Sequence, residues 1–248
     1  MDKKSIEFLK EMMAASSPSG FETEVQQVVM KHMSKSADRV ESDVLGNVAA
    51  ALNEKGSPRI MLAGHCDEIG LLLQHINNDG YLYFQQIGGI YLPALQGQRV
   101  TVQGRKGKVP GVIGRKKGES TEVPKSFPIE SLWVDIGAKS RKEAEDIVAV
   151  GDPITFPANF QELPNNLLLS RGFDDKIGVF AIAGIIKELS GAKFAPAVFG
   201  VSTVQEEIGT RGATTSSFNI NPDIGIAIDV IEATDYPDTD KRTKGDVA

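Results

Sequence analysis

Three short polar runs interrupt apolar sequence in this chain: Gly64-His65-Cys66-Asp67-Glu68, Arg171-Gly172-Phe173-Asp174-Asp175 and Gln205-Glu206-Glu207. A fourth apolar run, Ile224-Gly225-Ile226-Ala227-Ile228, ends in Asp229. An imidazole and several carboxylates, each at the end of a strand-like segment, are the side chains with which a hydrolase holds a pair of metal ions. Histidine and carboxylate donors suit zinc, cobalt or manganese, and two such ions about 3.5–4 Å apart can share a bridging aspartate and an activated water.

Each piece alone has a plainer reading. In extended chain, residues i and i+2 face the same way, so His65 and Asp67 share a side while Cys66 points opposite and reads as a packed small residue. His65 alone could be a hydrogen-bonded core histidine. Asp174-Asp175 opens a helical pattern, where one aspartate can cap the helix and the other complement its dipole. Glu206 and Glu207 follow an apolar strand, and adjacent acids at a strand end are usually solvated. If that strand continues, their side chains diverge, so one can bind a metal while the other acts as general base. The convergence of four segments favours the metal reading over four separate coincidences.

These residues need a frame that brings strand ends together. Ile6, Leu9, Met12 and Met13 fall at helical spacing, Ser19-x-x-Glu22 offers a capping box, and a second helix runs through Val25, Val28, Val29 and Met33. Val48 to Leu52 and Arg59 to Ala63 read as buried strands, which puts the first polar run at a strand's C-terminal end, where open α/β sheets place ligands. From about Leu71 to Leu163 the texture becomes short β runs with turns such as Asn77-Asn78-Asp79-Gly80 and Gly88-Gly89. A helix from near Asp174, a strand Ala197 to Val204, a short helix Thr210 to Phe218 and a strand Ile224 to Val230 restore the α/β pattern. The expected organisation is a discontinuous catalytic domain, 1–70 plus 164–248, with a β-rich insertion at 71–163.

With 248 residues, 41% of them hydrophobic, the chain can bury a substantial core. Its net charge of −6 has no basic stripe, so no nucleic-acid partner is expected. Charges interrupt the apolar residues of Met1 to Phe8 and no long apolar run follows, which predicts no signal peptide, no membrane partner and a cytoplasmic location. The single cysteine excludes an intrachain disulfide.

In this order the motifs resemble those of the tetrahedral, deblocking and glutamyl aminopeptidases, a cytoplasmic family of dinuclear metallopeptidases with some members named endoglucanases. The likeness runs through Ser17-Pro18-Ser19-Gly20-Phe21-Glu22, Asp43-x-Leu45-Gly46-Asn47, Ala63 to Gly70, Arg171 to Lys176 with Gly178, Gln205-Glu206-Glu207-x-Gly209-x-Arg211-Gly212-Ala213 and Asp229-Val230. It implies a three-layer α/β/α zinc-peptidase-like fold with a PDZ-like, barrel-like insertion serving oligomerisation. It also implies peptide substrates, a homo-oligomer between dimer and hollow dodecamer, and two divalent ions. By the same resemblance, His65 and Asp229 ligate one metal, Asp174 bridges both and Glu207 ligates the second. Glu206 is then the general base, and Asp67 orients a neighbouring carboxylate or ligand.

The resemblance also implies a late histidine beside Glu207, in a segment beyond residue 248. Here only His32, His65 and His75 occur; His32 falls in a helix expected at the surface and His75 in a strand of the insertion. The expectation is therefore a C-terminally truncated chain, weakly active or inactive. Two other classes stand beside the peptidase: an endoglucanase-type glycosidase, disfavoured by a single tryptophan, Trp133, and a non-catalytic subunit acting only in assembly.

Overall fold

A computed structural model describes residues 2–116 and 128–247 of the chain. The N-terminal part runs α1 (Lys3–Ala14), α2 (Thr23–Met33), β1 (Arg39–Ser42), β2 (Val48–Leu52) and β3 (Arg59–His65). Next come β4 (Gly70–Ile76), β5 (Leu82–Ile87), β6 (Arg99–Gly104), β7 (Gly107–Arg115), β8 (Leu132–Asp135), the short helix α3 (Arg141–Glu145) and β9 (Pro153–Thr155). A hairpin of β10 (Gln161–Leu163) and β11 (Leu167–Leu169) leads to α4 (Phe173–Leu189), β12 (Ala197–Thr203), α5 (Arg211–Ile220), β13 (Ile224–Ala227) and α6 (Lys241–Lys244).

Five strands form a mixed sheet in the order β1-β2-β12-β3-β13. β12 and β13 flank β3 in parallel, with Thr203 opposite His65 and Ala227 opposite Ala63, so three strands end together at one edge of the sheet. β12 is buried along its whole length, as a central strand covered on both faces must be. Alternate residues divide its surroundings. Val48, Ala50, Leu52 and Val198 pack with Leu9, Met12, Met13, Val25, Val29, Ile182 and Ile186 from α1, α2 and α4. Ala51, Met61, Phe199 and Val201 face the other way, toward Ile220 of α5. β13 is an edge strand, with Ile224 and Ile226 about half exposed.

β4-β5-β8-β7-β6-β9 close into a barrel, which removes free sheet edges. Its core is its own: Leu71, Leu73, Phe84, Val100, Val102, Ile113, Leu132 and Ile154 pack inside it. The barrel opens directly from the end of β3, so the chain leaves the sheet at Asp67–Ile69 and enters β4 at Gly70. The part of the expected β-rich stretch at 117–127 lies outside the described residues. No helix among the described residues is long and apolar enough to cross a membrane.

Several local expectations change. Ser19 and Glu22 form no capping box: Glu22 occupies the N-cap of α2 without a side-chain cap, and the Ser19 hydroxyl donates instead to Asp67 at 2.7 Å. The last strand stops at Ala227 rather than Val230, although the Ile228 N–H still donates to the Ala63 carbonyl. His32 lies on outer helix α2 as expected, partly exposed and stacked on Phe8 with centroids 3.6 Å apart.

Cys66 behaves as its alternation requires. It is fully buried in the helix-covered core, and burial pushes its thiol well above the ordinary range. Native protein should therefore resist thiol reagents and take up one label per chain on denaturation. Rapid labelling of the folded protein would show that the end of β3 is not packed as described.

Candidate metal centre

The site assembles at the shared edge of β3, β12 and β13. His65, the last residue of β3, is almost completely buried, and its Nδ1 lies 3.0 Å from the Asp67 carbonyl. A carbonyl can only accept, so Nδ1 carries a proton and donates it, which turns Nε2 outward. Nε2 faces Asp174 Oδ1 at 3.0 Å, Glu206 Oε2 at 3.9 Å and Asp229 Oδ1 at 3.9 Å. Those carboxylates remain accessible, with side chains 61%, 35% and 52% exposed respectively. The structure thus brings His65, Asp174, Glu206 and Asp229 together from four chain segments.

The two adjacent aspartates have different surroundings. Asp175 is fully buried; its Oδ2 accepts the His65 N–H at 3.2 Å and its Oδ1 the Gly178 N–H at 3.1 Å. Asp174 and Asp175 have non-helical backbone angles, so the Gly178 contact caps the regular part of α4. A Cβ at Gly178 would stand 2.3 Å from Asp175 Oδ2, so glycine is required there. The capping reading therefore holds for Asp175 and leaves Asp174 to face His65 Nε2. Ligand atoms of His65, Asp175 and Asp229 do lie within 4.8 Å of one another, but both Asp175 oxygens already serve backbone N–H groups. Burial, together with the charge of Asp229, raises the Asp175 carboxyl to about 7 despite the opposing pull of His65.

Glu206 and Glu207 do not continue a strand, as one reading of the sequence expected. β12 ends at Thr203, and Gln205 takes φ +57°, reversing the chain. Their geometry comes instead from Asp67, whose Oδ1 accepts the Glu206 N–H at 3.0 Å and whose Oδ2 accepts the Glu207 N–H at 3.1 Å. Burial works to raise the Asp67 carboxyl, but hydrogen bonds from His65, Ser19 and Glu206 outweigh it and keep it below its ordinary value. Glu207 is pushed up to about 7 by burial and by the charges of Asp174, Asp67 and Glu206, with His65 opposing.

Sequence reasoning gave no role to Glu68, Arg171 or Lys176. Buried Glu68 pairs with Arg171, lies 3.4 Å from Lys176 Nζ and accepts the Ser17 N–H at 2.9 Å. Lys176 is fully buried, donates to the Ala15 carbonyl at 2.9 Å, and has its ammonium lowered to about 8 by burial against the pull of Glu68. This cluster ties the segment after β3 to the start of α4; its signal in the sequence was the charges bracketing both polar runs.

The donor set fits a divalent cation: an imidazole nitrogen with a fixed tautomer, carboxylate oxygens around it, and Asp67 fixing the ring from behind. His75 lies in barrel strand β4 and His32 in α2, so His65 is the imidazole of this centre. A carboxylate-rich site of this kind, at the ends of parallel strands, is where a metal-dependent hydrolase would hold its ions.

The chain belongs to the M42 glutamyl aminopeptidase family, whose model matches residues 46–247. It is 35% identical over 242 residues to the lysyl aminopeptidase of Pyrococcus furiosus, covering 95% of this chain and 69% of that one. The solved TET aminopeptidase of a marine sediment thaumarchaeon superposes with a TM-score of 0.90 at 38% identity, covering 95% of this chain and 69% of that one. A Pyrococcus horikoshii TET1 peptidase, described as assembling into a tetrahedron or a large octahedral shell, gives 0.82 at 36% identity, covering 91% and 68%. The chain thus spans about two thirds of the length of these relatives. Membership places it among metal-dependent aminopeptidases.

Without a cation, burial pulls the His65 pKa down, but the hydrogen bond to Asp67 and the charges of Asp67, Asp175 and Asp174 prevail and raise it to about 9. A metal taking Nε2 must displace that proton, so zinc affinity should weaken as pH falls from about 9. Calorimetry in buffers of different ionisation enthalpy should show proton release on binding. Affinity that stays flat with pH, with no proton release, would place the cation elsewhere.

Proposed function

We propose that this chain hydrolyses the N-terminal residue from peptides, with two divalent ions, zinc or cobalt before manganese, held by His65, Asp174, Asp229 and Glu207. The observation that carries this reading is His65 Nε2 facing carboxylates from three other segments within 3.9 Å. In such a site the ions would supply Lewis acidity, polarising the scissile carbonyl and making water more acidic.

The chain's own residues divide the remaining work. Glu206, partly exposed beside His65, is the general base: it takes a proton from water as the oxygen attacks the carbonyl carbon. It returns that proton to the amide nitrogen as the C–N bond breaks. Asp67 holds both the His65 ring and the Glu206 backbone, so the base and the imidazole keep one relative position. On this reading the sheet and its helices are the three-layer catalytic domain. The barrel, in an insertion at 71–163, contributes to a cytoplasmic homo-oligomer, as the shell described for the TET1 peptidase suggests. Trp133, the single tryptophan, lies in barrel strand β8 edge-on to Tyr81, whereas the side chains facing His65 Nε2 are carboxylates, which favours the peptidase over a glycosidase.

A panel of aminoacyl anilides should show release that a chelator abolishes and zinc or cobalt restores. Glu206→Gln should cut kcat by about 100-fold or more with metal content unchanged. An undiminished rate in that variant would remove Glu206 as the base, and activity on a soluble glucan that survives the chelator would favour the glycosidase.

A further inference from the structure

Two motifs of the sequence, Ser19 to Glu22 and Asp43 to Asn47, have no chemistry assigned to them, yet the structure brings both to the loop that carries Glu206 and Glu207. Four successive backbone N–H groups of that loop each donate to a side chain from another part of the fold. Val204 donates to Asn47 Oδ1 at 3.0 Å, Gln205 to Glu22 Oε1 at 3.2 Å, Glu206 to Asp67 Oδ1 at 3.0 Å and Glu207 to Asp67 Oδ2 at 3.1 Å. Asn47 is itself fixed, since its amide donates to Asp43 at 2.7 Å and to Thr215 at 2.9 Å. A Cβ at Gly212 would fall 2.3 Å from Asn47 Oδ1, which accounts for the glycine in the third polar motif.

The Gln205 contact stands at the critical point. Gln205 has φ +57°, a left-handed conformation that a non-glycine residue holds where its surroundings fix it. That residue turns the chain out of β12, and the next side chain is the Glu206 carboxylate beside His65. Glu22 is buried, and its Oε1 is also anchored by the Gly20 N–H at 2.7 Å. The acceptor is therefore held from its own side before it meets the loop.

We infer that Glu22 is a positioning residue for the reaction: by fixing the Gln205 N–H it sets the reversal that aims Glu206 at the metal centre. The inference rests on the reading of Glu206 as the base. Its predicted effect on the loop can nevertheless be measured whether or not the chain turns over substrate.

The test compares Glu22→Ala, Glu22→Gln and Glu22→Asp with the parent full chain. In metal-free protein, amide exchange at residues 205–207 should speed up by about ten-fold in Glu22→Ala, the scale of one lost hydrogen bond to a charged group. Glu22→Gln should restore it, because its amide oxygen still accepts at the same reach. Glu22→Asp keeps the charge but is one methylene short, so it should exchange like the alanine variant. With cobalt added, the visible spectrum should change in the Ala and Asp variants and match the parent in Gln, with kcat lowered and KM unmoved. Unchanged exchange at 205–207 in the Ala and Asp variants would overturn the inference, as would a Gln variant as impaired as Asp. If Glu22→Ala does not fold, the Gln and Asp pair decides alone. A parent that binds no cobalt would contradict the proposed function and leave the exchange result standing as the judgement on Glu22.

Discussion

The buried Asp67 carboxylate is the constraint on which the rest of the site depends. An anion taken out of water needs donors, and this one receives them from Ser19, Glu206 and Glu207, while the Asp67 backbone carbonyl accepts a hydrogen bond from His65 Nδ1–H. Satisfying that single group fixes the N-terminal segment, the end of β3 and the loop after β12 in one register. A second buried carboxylate, Glu68, does the same for the start of α4 through Arg171 and Lys176. The metal-facing side chains are therefore held by anions two and three residues beyond His65, rather than by the strands alone.

The electrostatics show what this rigidity is for. Asp174, Glu206 and Asp229 converge on one imidazole nitrogen, and burial together with neighbouring carboxylates lifts Asp175 and Glu207 above the ordinary carboxyl range. Such crowding costs stability unless positive charge arrives, and a divalent cation is the charge that also satisfies carboxylate and imidazole geometry. Lys176 and Arg171 stay on Glu68 and do not neutralise the cluster. The fold thus separates a net-positive ionic clamp, one carboxylate held by two cations, from an acidic centre only a few residues away.

Much of this was legible before the structure. The alternation of His65, Cys66 and Asp67 set which side chains face the site, and the apolar runs at 48–52, 59–63 and 197–204 located the strands to within a residue or two. What escaped was set by tertiary partners. Ser19 and Glu22 have the spacing of a capping box, but other partners outcompete it: the Ser19 hydroxyl donates to Asp67, and Glu22 accepts from the Gly20 and Gln205 N–H groups. Asp174 and Asp175 read alike as cap candidates, and the structure separates them: Asp175 accepts the Gly178 N–H three residues on and the His65 N–H across the fold. The turn at Gln205 was equally hidden, because the sequence alone allows β12 to continue through Glu206.

The central claim is that His65, Asp174, Asp229 and Glu207 hold divalent cations. An anomalous difference map from crystals grown with zinc tests it most directly. The account requires a peak at about 2.0–2.1 Å from His65 Nε2 that Asp174 also ligates, with Asp175 left on its backbone N–H groups. Zinc bound elsewhere and absent from His65, or ligated by Asp175 in place of Asp174, would contradict it.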